Sequence, residues 1–373
     1  MKYWENNLTI SHKKQIANHM KNIIFAIFIF TSALCNAQNY SFVPDSLRLI
    51  SYEELMKNPP SNVGLVYYEN GTPTTLKEVI PLVMQKKLTP QMFVDKDGNH
   101  KILVVVKAEV KTENISIAYE GMPEKLKKLG YSFGNSKSDT IVLITQGGPF
   151  PKLFTDEVKA IFKDNGGIDE NKYFIINSHQ AQTIEPQMML EEEMSFEQAK
   201  MLGIKTSEML NELVSYFKSE NKKVFIVGIS YGCFAAQDYI SKFGNIADGY
   251  LLMVGRLDIA EDIWRAYSEG IDAAFEEDAV STKVEQKAED LMMINSHKIA
   301  AAYGYKRYSE LLKNTDLSNL IYYHALKDSN VGKLTTDEID FLKTKGANIV
   351  AFDDVHTAWR KHLKKALELL LAK

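Results

Sequence analysis

The stretch Val224-Phe-Ile-Val-Gly228-Ile-Ser230-Tyr-Gly232-Cys-Phe-Ala-Ala236 decides how this chain of 373 residues is read. Val224 to Val227 is an apolar run of the kind that fills a strand covered on both faces. Cys233 to Lys242 suits a packed helix. A strand that turns directly into a helix brings two backbones against one another, and glycines at 228 and 232 remove the side chains that would collide. Ser230 is left on the turn with its hydroxyl clear of the sheet. The Gly-x-Ser-x-Gly pattern alone is weak, and its place between a strand and a helix gives it meaning.

Two further segments repeat the arrangement of a polar group just past a strand. Asn319-Leu-Ile-Tyr-Tyr-His-Ala-Leu326 predicts a buried strand, and the polar turn Lys327-Asp328-Ser329-Asn330 follows it. After a helix over Thr335 to Lys345, Ala347-Asn-Ile-Val-Ala-Phe352 predicts the last strand, and His356 lies on the loop beyond. A serine hydroxyl becomes a useful nucleophile when an imidazole takes its proton, and a carboxylate must then fix the tautomer of that imidazole. Ser230, His356 and Asp328 are the candidates for these roles. Asp353 and Asp354 compete for the acid's role, although their closeness to His356 in the chain would require a special turn.

The order Ser230, Asp328, His356, each just past a predicted strand, resembles the α/β-hydrolase superfamily over roughly residues 100 to 373. The resemblance implies a mostly parallel central sheet flanked by helices and hydrolysis through an acyl-enzyme without a cofactor. It also implies an oxyanion site. The strand Thr140-Ile-Val-Leu-Ile-Thr145 runs into Gln146-Gly147-Gly148-Pro149, where members of the superfamily often carry His-Gly-Gly-Pro. Carried over position by position, the oxyanion donors are the backbone N–H groups of Gly148 and Tyr231. Gly-Gly-Pro suggests the branch that includes prolyl aminopeptidases, whereas Gln146 in place of histidine and Phe150 after the proline depart from it.

Strands and helices alternate from Asp139 to Asp258, which implies crossover connections and a largely parallel sheet. The expected elements are strands at 140–145, 173–177, 224–227 and 250–254, with helices near 153–163 and over Ser195 to Phe217. Residues 256–317 interrupt the alternation with three predicted helices and no strand, at the place where related hydrolases carry a helical cap. Trp264, Tyr267, Phe275, Met292, Met293, Tyr303, Tyr305 and Tyr308 give this cap an aromatic side that either packs it onto the body or lines a pocket. The expected organisation is therefore a leader over 1–37, an N-terminal α+β extension over 38–110, a core over 111–255 and 318–373, and the cap over 256–317. In the extension, a hairpin across Asp97-Gly98 and a strand at Ile115 to Tyr119 are expected, with the last strands joining the main sheet.

The net charge of −4 and the lack of a basic cluster make nucleic acid an unexpected partner. Ile23 to Leu34 is an apolar run preceded by Lys21 and followed by Cys35-Asn36-Ala37, which reads as an export signal cleaved after Ala37. A membrane anchor and lipidation at Cys35 are the alternatives, and Met20 offers a second start for the same signal. Removal of 1–37 takes away four lysines and one glutamate, and −4 less +3 gives −7. Cys233 would then be the only cysteine, which excludes an intramolecular disulfide.

The remaining histidines have duller readings: His324 inside a strand, His179 at a strand end, His362 on the terminal helix. None has a metal-ligand spacing, so no metal is expected. The substrate class is expected to be a carboxylic ester, with a small-molecule ester or short peptide as partner and no membrane contact after cleavage. An aminopeptidase-like activity is the second reading, drawn from Gly147-Gly148-Pro149 and the cap acids Glu261, Asp262, Glu276 and Glu277. A non-catalytic binding protein of the same fold is the third.

Overall fold

The computed structural model describes residues 40–50, 64–84, 88–107, 115–288 and 290–372. The expected leader, with its cleavage point and Cys35, lies outside the described residues. The chain divides into two compact units, residues 1–113 and 114–373.

The first unit is a five-stranded sheet built from β1 (Arg48–Leu49), β2 (Leu65–Tyr68), β3 (Pro73–Thr74), β4 (Leu88–Val94) and β5 (His100–Lys107), in the order β1-β4-β5-β2-β3. The expected hairpin is β4 and β5, paired antiparallel across the turn at Asp95–Gly98. Alternation along these strands buries two faces. Leu103 and Val105 pack with Val79 and Val83 of the helix Leu76–Met84, while Ile102 and Val104 pack with Phe93 and Tyr40. The expectation that the last strands here join the main sheet is not met, because β5 pairs with β4 and β2.

The second unit holds a seven-stranded sheet of β6 (Gly130–Gly134), β7 (Thr140–Thr145), β8 (Phe174–Ser178), β9 (Lys223–Ile229), β10 (Gly249–Met253), β13 (Leu320–Lys327) and β14 (Asn348–Val355). Its order is β6-β8-β7-β9-β10-β13-β14, parallel throughout except that β6 runs antiparallel to β8. This is the α/β architecture expected. The central strands carry Ile141 to Ile144, Phe174 to Ile176 and Val224 to Val227 at near-zero exposure, because helices cover both faces. Losing the Ile226 side chain beyond Cβ would cost about 2–5 kcal/mol.

The long helix Phe196–Ser219 starts at Ser195, whose hydroxyl accepts the Gln198 N–H while the Gln198 side chain accepts the Ser195 N–H. It packs on the helix Tyr231–Phe243. The terminal helix Trp359–Leu371 packs against the helical segment Asp156–Asn165, where a Cβ on Gly166 would stand 2.9 Å from Leu367.

Two local expectations are corrected. Ile115 to Tyr119 is an extended segment outside any ladder: the Ile117 N–H donates to the Lys127 carbonyl and the Ala118 N–H to the Ser132 hydroxyl. The strand at this place is β6, a little later in the chain. Residues 256–317 are not all helical either. Between the helices Glu261–Ser268 and Leu291–Gly304 runs an antiparallel hairpin of β11 (Ile271–Phe275) and β12 (Thr282–Lys287). A short helix, Tyr308–Leu311, closes the insertion. β12 is mostly exposed and reads Thr-Lys-Val-Glu-Gln-Lys, so its charges face water rather than marking a helix.

Candidate active site

The turn from β9 into the helix Tyr231–Phe243 holds Ser230 at φ 53° and ψ −118°, outside the regions a serine ordinarily adopts. Close approach forces this geometry. A Cβ on Gly232 would stand 1.9 Å from the Thr145 carbonyl oxygen, and one on Gly228 would stand 2.8 Å from the Gly232 oxygen. The Thr145 hydroxyl also donates to the Gly232 carbonyl at 2.9 Å, fastening the turn to the end of β7.

The structure brings Ser230, His356 and Asp328 together from three strand ends. His356 Nε2 lies 3.0 Å from Ser230 Oγ, and His356 Nδ1 lies 2.7 Å from Asp328 Oδ2. Asp328 is 1% exposed, and its Oδ1 accepts the N–H groups of Asn330 and Val331 at 3.0 and 3.1 Å. With both oxygens engaged, the carboxylate faces the imidazole in one orientation. It fixes the proton on Nδ1 and leaves Nε2 bare toward the serine. The competing acids have other partners: Asp353 pairs with Lys327 at 2.8 Å and Asp354 with Lys361 at 3.1 Å.

Gly147 passes directly beside the serine, since a Cβ there would stand 3.5 Å from the Ser230 Cβ. A Cβ on Gly148 would stand 2.7 Å from the Phe150 nitrogen, so the loop is closed to larger residues. Tyr231 is the first residue of its helix, and its N–H therefore lacks an intrahelical acceptor. The two N–H groups carried over from the resemblance thus lie on segments that flank Ser230.

Of the remaining histidines, His324 is buried in β13, and burial holds its pKa below the ordinary value. His179 is buried at the end of β8 against Thr183, and burial lowers its pKa to about 4. The ring of His362 packs on Phe352 at 4.2 Å.

In the cap, most of the aromatic residues pack it onto the body. Tyr303 and Tyr308 are fully buried, and the Tyr303 ring meets Tyr231 at 5.4 Å. Lys306 holds the buried Asp238 of the serine's helix at 2.5 Å. Tyr305 is the exposed exception. The cap acids Glu261, Asp262, Glu276 and Glu277 are on the surface, with Glu261 paired to Arg265 and Asp262 to Thr282. Sequence reasoning missed Ser296, whose hydroxyl donates to the Pro149 carbonyl at 3.2 Å and joins the cap to the Gly-Gly-Pro loop. It also missed the buried amides of Asn177 and Gln180, which surround the Gln146 already noted in place of histidine.

No family model matches the chain, and no curated protein matches it. Among solved structures it is similar to a metagenome-derived lipolytic enzyme at 11% identity and TM-score 0.43, over 66% of this chain and 98% of that one. An esterase from Exiguobacterium antarcticum is similar at 12% identity and TM-score 0.42, over 65% of this chain and 93% of that one. A bromoperoxidase from Bacillus anthracis is similar at 14% identity and TM-score 0.38, over 65% and 95%. At these levels the fold rests on the strand order, the reversed β6 and the turn at Ser230.

Proposed function

We propose that this chain, whose fold is that of the α/β-hydrolase superfamily, is a serine hydrolase acting on carboxylic esters through an acyl-enzyme. The observation that carries this is the unbroken line of hydrogen-bond contacts from Ser230 Oγ through His356 to Asp328. Ser230 Oγ attacks the ester carbonyl while its proton passes to His356 Nε2, and the carbonyl electrons move onto oxygen. The tetrahedral anion faces the N–H groups of Gly148 and Tyr231. Collapse breaks the bond to the alcohol, which leaves with the proton from His356. Water then repeats the sequence on the acyl-enzyme, giving the acid and free Ser230. Asp328 holds the ring and stabilises the imidazolium.

The ester preference is supported by the surface placement of the acids that an ammonium-binding peptidase site would need. The apolar run at 23–34 supports export with cleavage after Ala37. An exported product whose intact mass begins at Gln38 checks this second proposal.

The test of the first is labelling with a fluorophosphonate, beside a panel of chromogenic esters and aminoacyl amides. One adduct should map to the peptide containing Ser230 and be absent from Ser230→Ala and His356→Ala. Faster turnover of aminoacyl amides than of any ester would replace the ester assignment. A folded protein that stays unlabelled and hydrolyses nothing would remove the enzyme function and leave the fold.

A further inference from the structure

Gln146 stands where the resembled superfamily often carries histidine, and its residue is 2% exposed. A carboxamide offers an N–H donor and a carbonyl acceptor side by side on one edge. Gln146 uses both on one stretch of backbone: Nε2 donates to the Lys152 carbonyl at 2.7 Å, and Oε1 accepts the Phe154 N–H at 2.8 Å. The side chain therefore acts as a one-residue strand partner that closes residues 146–154 into a ring. The two nitrogens of an imidazole point too far apart to serve a carbonyl and an N–H so closely spaced.

The ring is braced from behind. Asn177 Nδ2 donates to Gln146 Oε1 at 3.2 Å and to the Phe154 carbonyl at 2.6 Å. The main-chain carbonyl of Gln146 accepts from Gln180 Nε2 at 2.7 Å, and Gln182 Nε2 donates to Gln180 Oε1 at 2.8 Å. These partners fix the orientation of the Gln146 amide, since exchanging its oxygen and nitrogen would set oxygen against the Lys152 carbonyl and nitrogen against the Phe154 N–H.

We propose that Gln146, held in turn by Gln180, is the positioning residue of the oxyanion site. The two amides fix the Gly147–Gly148 backbone beside Ser230 so that the Gly148 N–H is aimed before the reaction begins. Two consecutive glycines have the widest backbone freedom of any dipeptide, and a donor on free backbone would have to be ordered during the reaction. Preorganised donors avoid that reorganisation, which is the source of their catalytic value. This proposal rests on the serine-hydrolase function proposed above.

The test compares an ester with its thionoester, in which sulfur replaces the carbonyl oxygen. Sulfur is larger and accepts hydrogen bonds weakly, so the ratio of oxygen to sulfur turnover reports the aimed donors. A smaller folded fraction lowers both rates together and leaves the ratio alone. Gln146→Met keeps the length and removes the bonds to Lys152, Phe154 and Asn177, and should lower kcat about 100-fold with KM within about threefold. The oxygen-to-sulfur ratio should fall by about tenfold. Gln180→Met, which removes the bond to the Gln146 carbonyl and the one received from Gln182, should shift both quantities the same way with kcat down about tenfold. It carries the test if Gln146→Met does not fold. An active wild type whose folded variants keep its ratio overturns the positioning alone. A wild type that hydrolyses neither ester and takes no fluorophosphonate overturns the hydrolase function and the positioning with it.

Discussion

The backbone N–H of Phe275, at the end of β11, donates to the carbonyl of Ser329, the residue after Asp328, at 3.3 Å. A second bond runs the other way, from the Lys333 N–H to the Ala279 carbonyl at 3.0 Å. The hairpin of the cap thus brackets the turn that carries the candidate acid. The guanidinium of Arg256 lies under the same turn, 5.0 Å from the centroid of the Phe275 ring. Gly332 makes room for it, since a Cβ there would stand 2.4 Å from Arg256 Nη1.

Arg256 and its counter-charge Glu338 are both buried, and their closest approach is 3.4 Å. They should respond unequally to substitution. Glu338 has other partners: Oε1 accepts the Asp258 N–H at 2.8 Å and Oε2 the Thr335 N–H at 2.7 Å, the latter capping the helix Thr336–Thr344. Arg256 Nε and Nη1 have no hydrogen-bond acceptor among the described residues. Glu338→Leu leaves a buried cation alone and uncaps the helix, so it should cost about 3–5 kcal/mol. Arg256→Met leaves a carboxylate that still accepts two N–H groups and should cost about half as much. Urea unfolding of the two variants checks the order, and equal losses would contradict it.

Asp328→Asn should lower kcat by about a thousandfold or more with little change in unfolding midpoint, because an amide N–H facing Nδ1 selects the wrong imidazole tautomer. Asp354→Asn should change kcat by less than about twofold, since its carboxylate is engaged with Lys361 at the surface. Steady-state kinetics on one ester decides between the two acids.

The sheet was legible in the sequence where helices cover both faces. Strands such as Ile141–Ile144 and Val224–Val227 then need unbroken apolar runs, and their ends locate Ser230, Asp328 and His356. β6 escaped because it is an edge strand of Gly-Tyr-Ser-Phe-Gly, with glycines that read as turns and a pattern only half buried. β12 escaped because it is an exposed strand of charged residues held by pairing with β11 rather than by burial. The amides around Gln146 left no signal, because their partners at 152, 154, 177 and 180 converge only once β7 and β8 are paired.

The same substitution should have opposite signs at two glycines. Gly232→Ala drives a methyl into the Thr145 backbone, which cannot yield without moving β7, so it should cost about 3 kcal/mol or more and abolish labelling of Ser230. Gly203 lies inside the helix Phe196–Ser219, and a Cβ there would meet the Tyr303 ring at 3.5 Å, an ordinary contact. Gly203→Ala should therefore stabilise the protein by about 0.5–1 kcal/mol through the lower backbone entropy of alanine. Denaturant unfolding measures both.

His179 should make the protein sensitive to acid. Thr183 spends its hydroxyl proton on the Gln180 carbonyl at 2.7 Å, so at 2.7 Å from His179 Nδ1 it accepts from the ring and fixes the neutral tautomer. Burial lowers the pKa from 6.5 to about 4. The sign follows from proton uptake. Between pH 6.5 and about 4 the unfolded chain holds a proton on this ring that the folded one does not, so stability falls as pH falls through that window. Above pH 6.5 both states are neutral and the effect is absent. The loss should approach about 3 kcal/mol at the acid end. Urea midpoints measured from pH 7.5 down to 4 should fall more steeply in the wild type than in His179→Gln, which cannot take up the proton. Parallel profiles would show that the ring is already solvated in the folded protein.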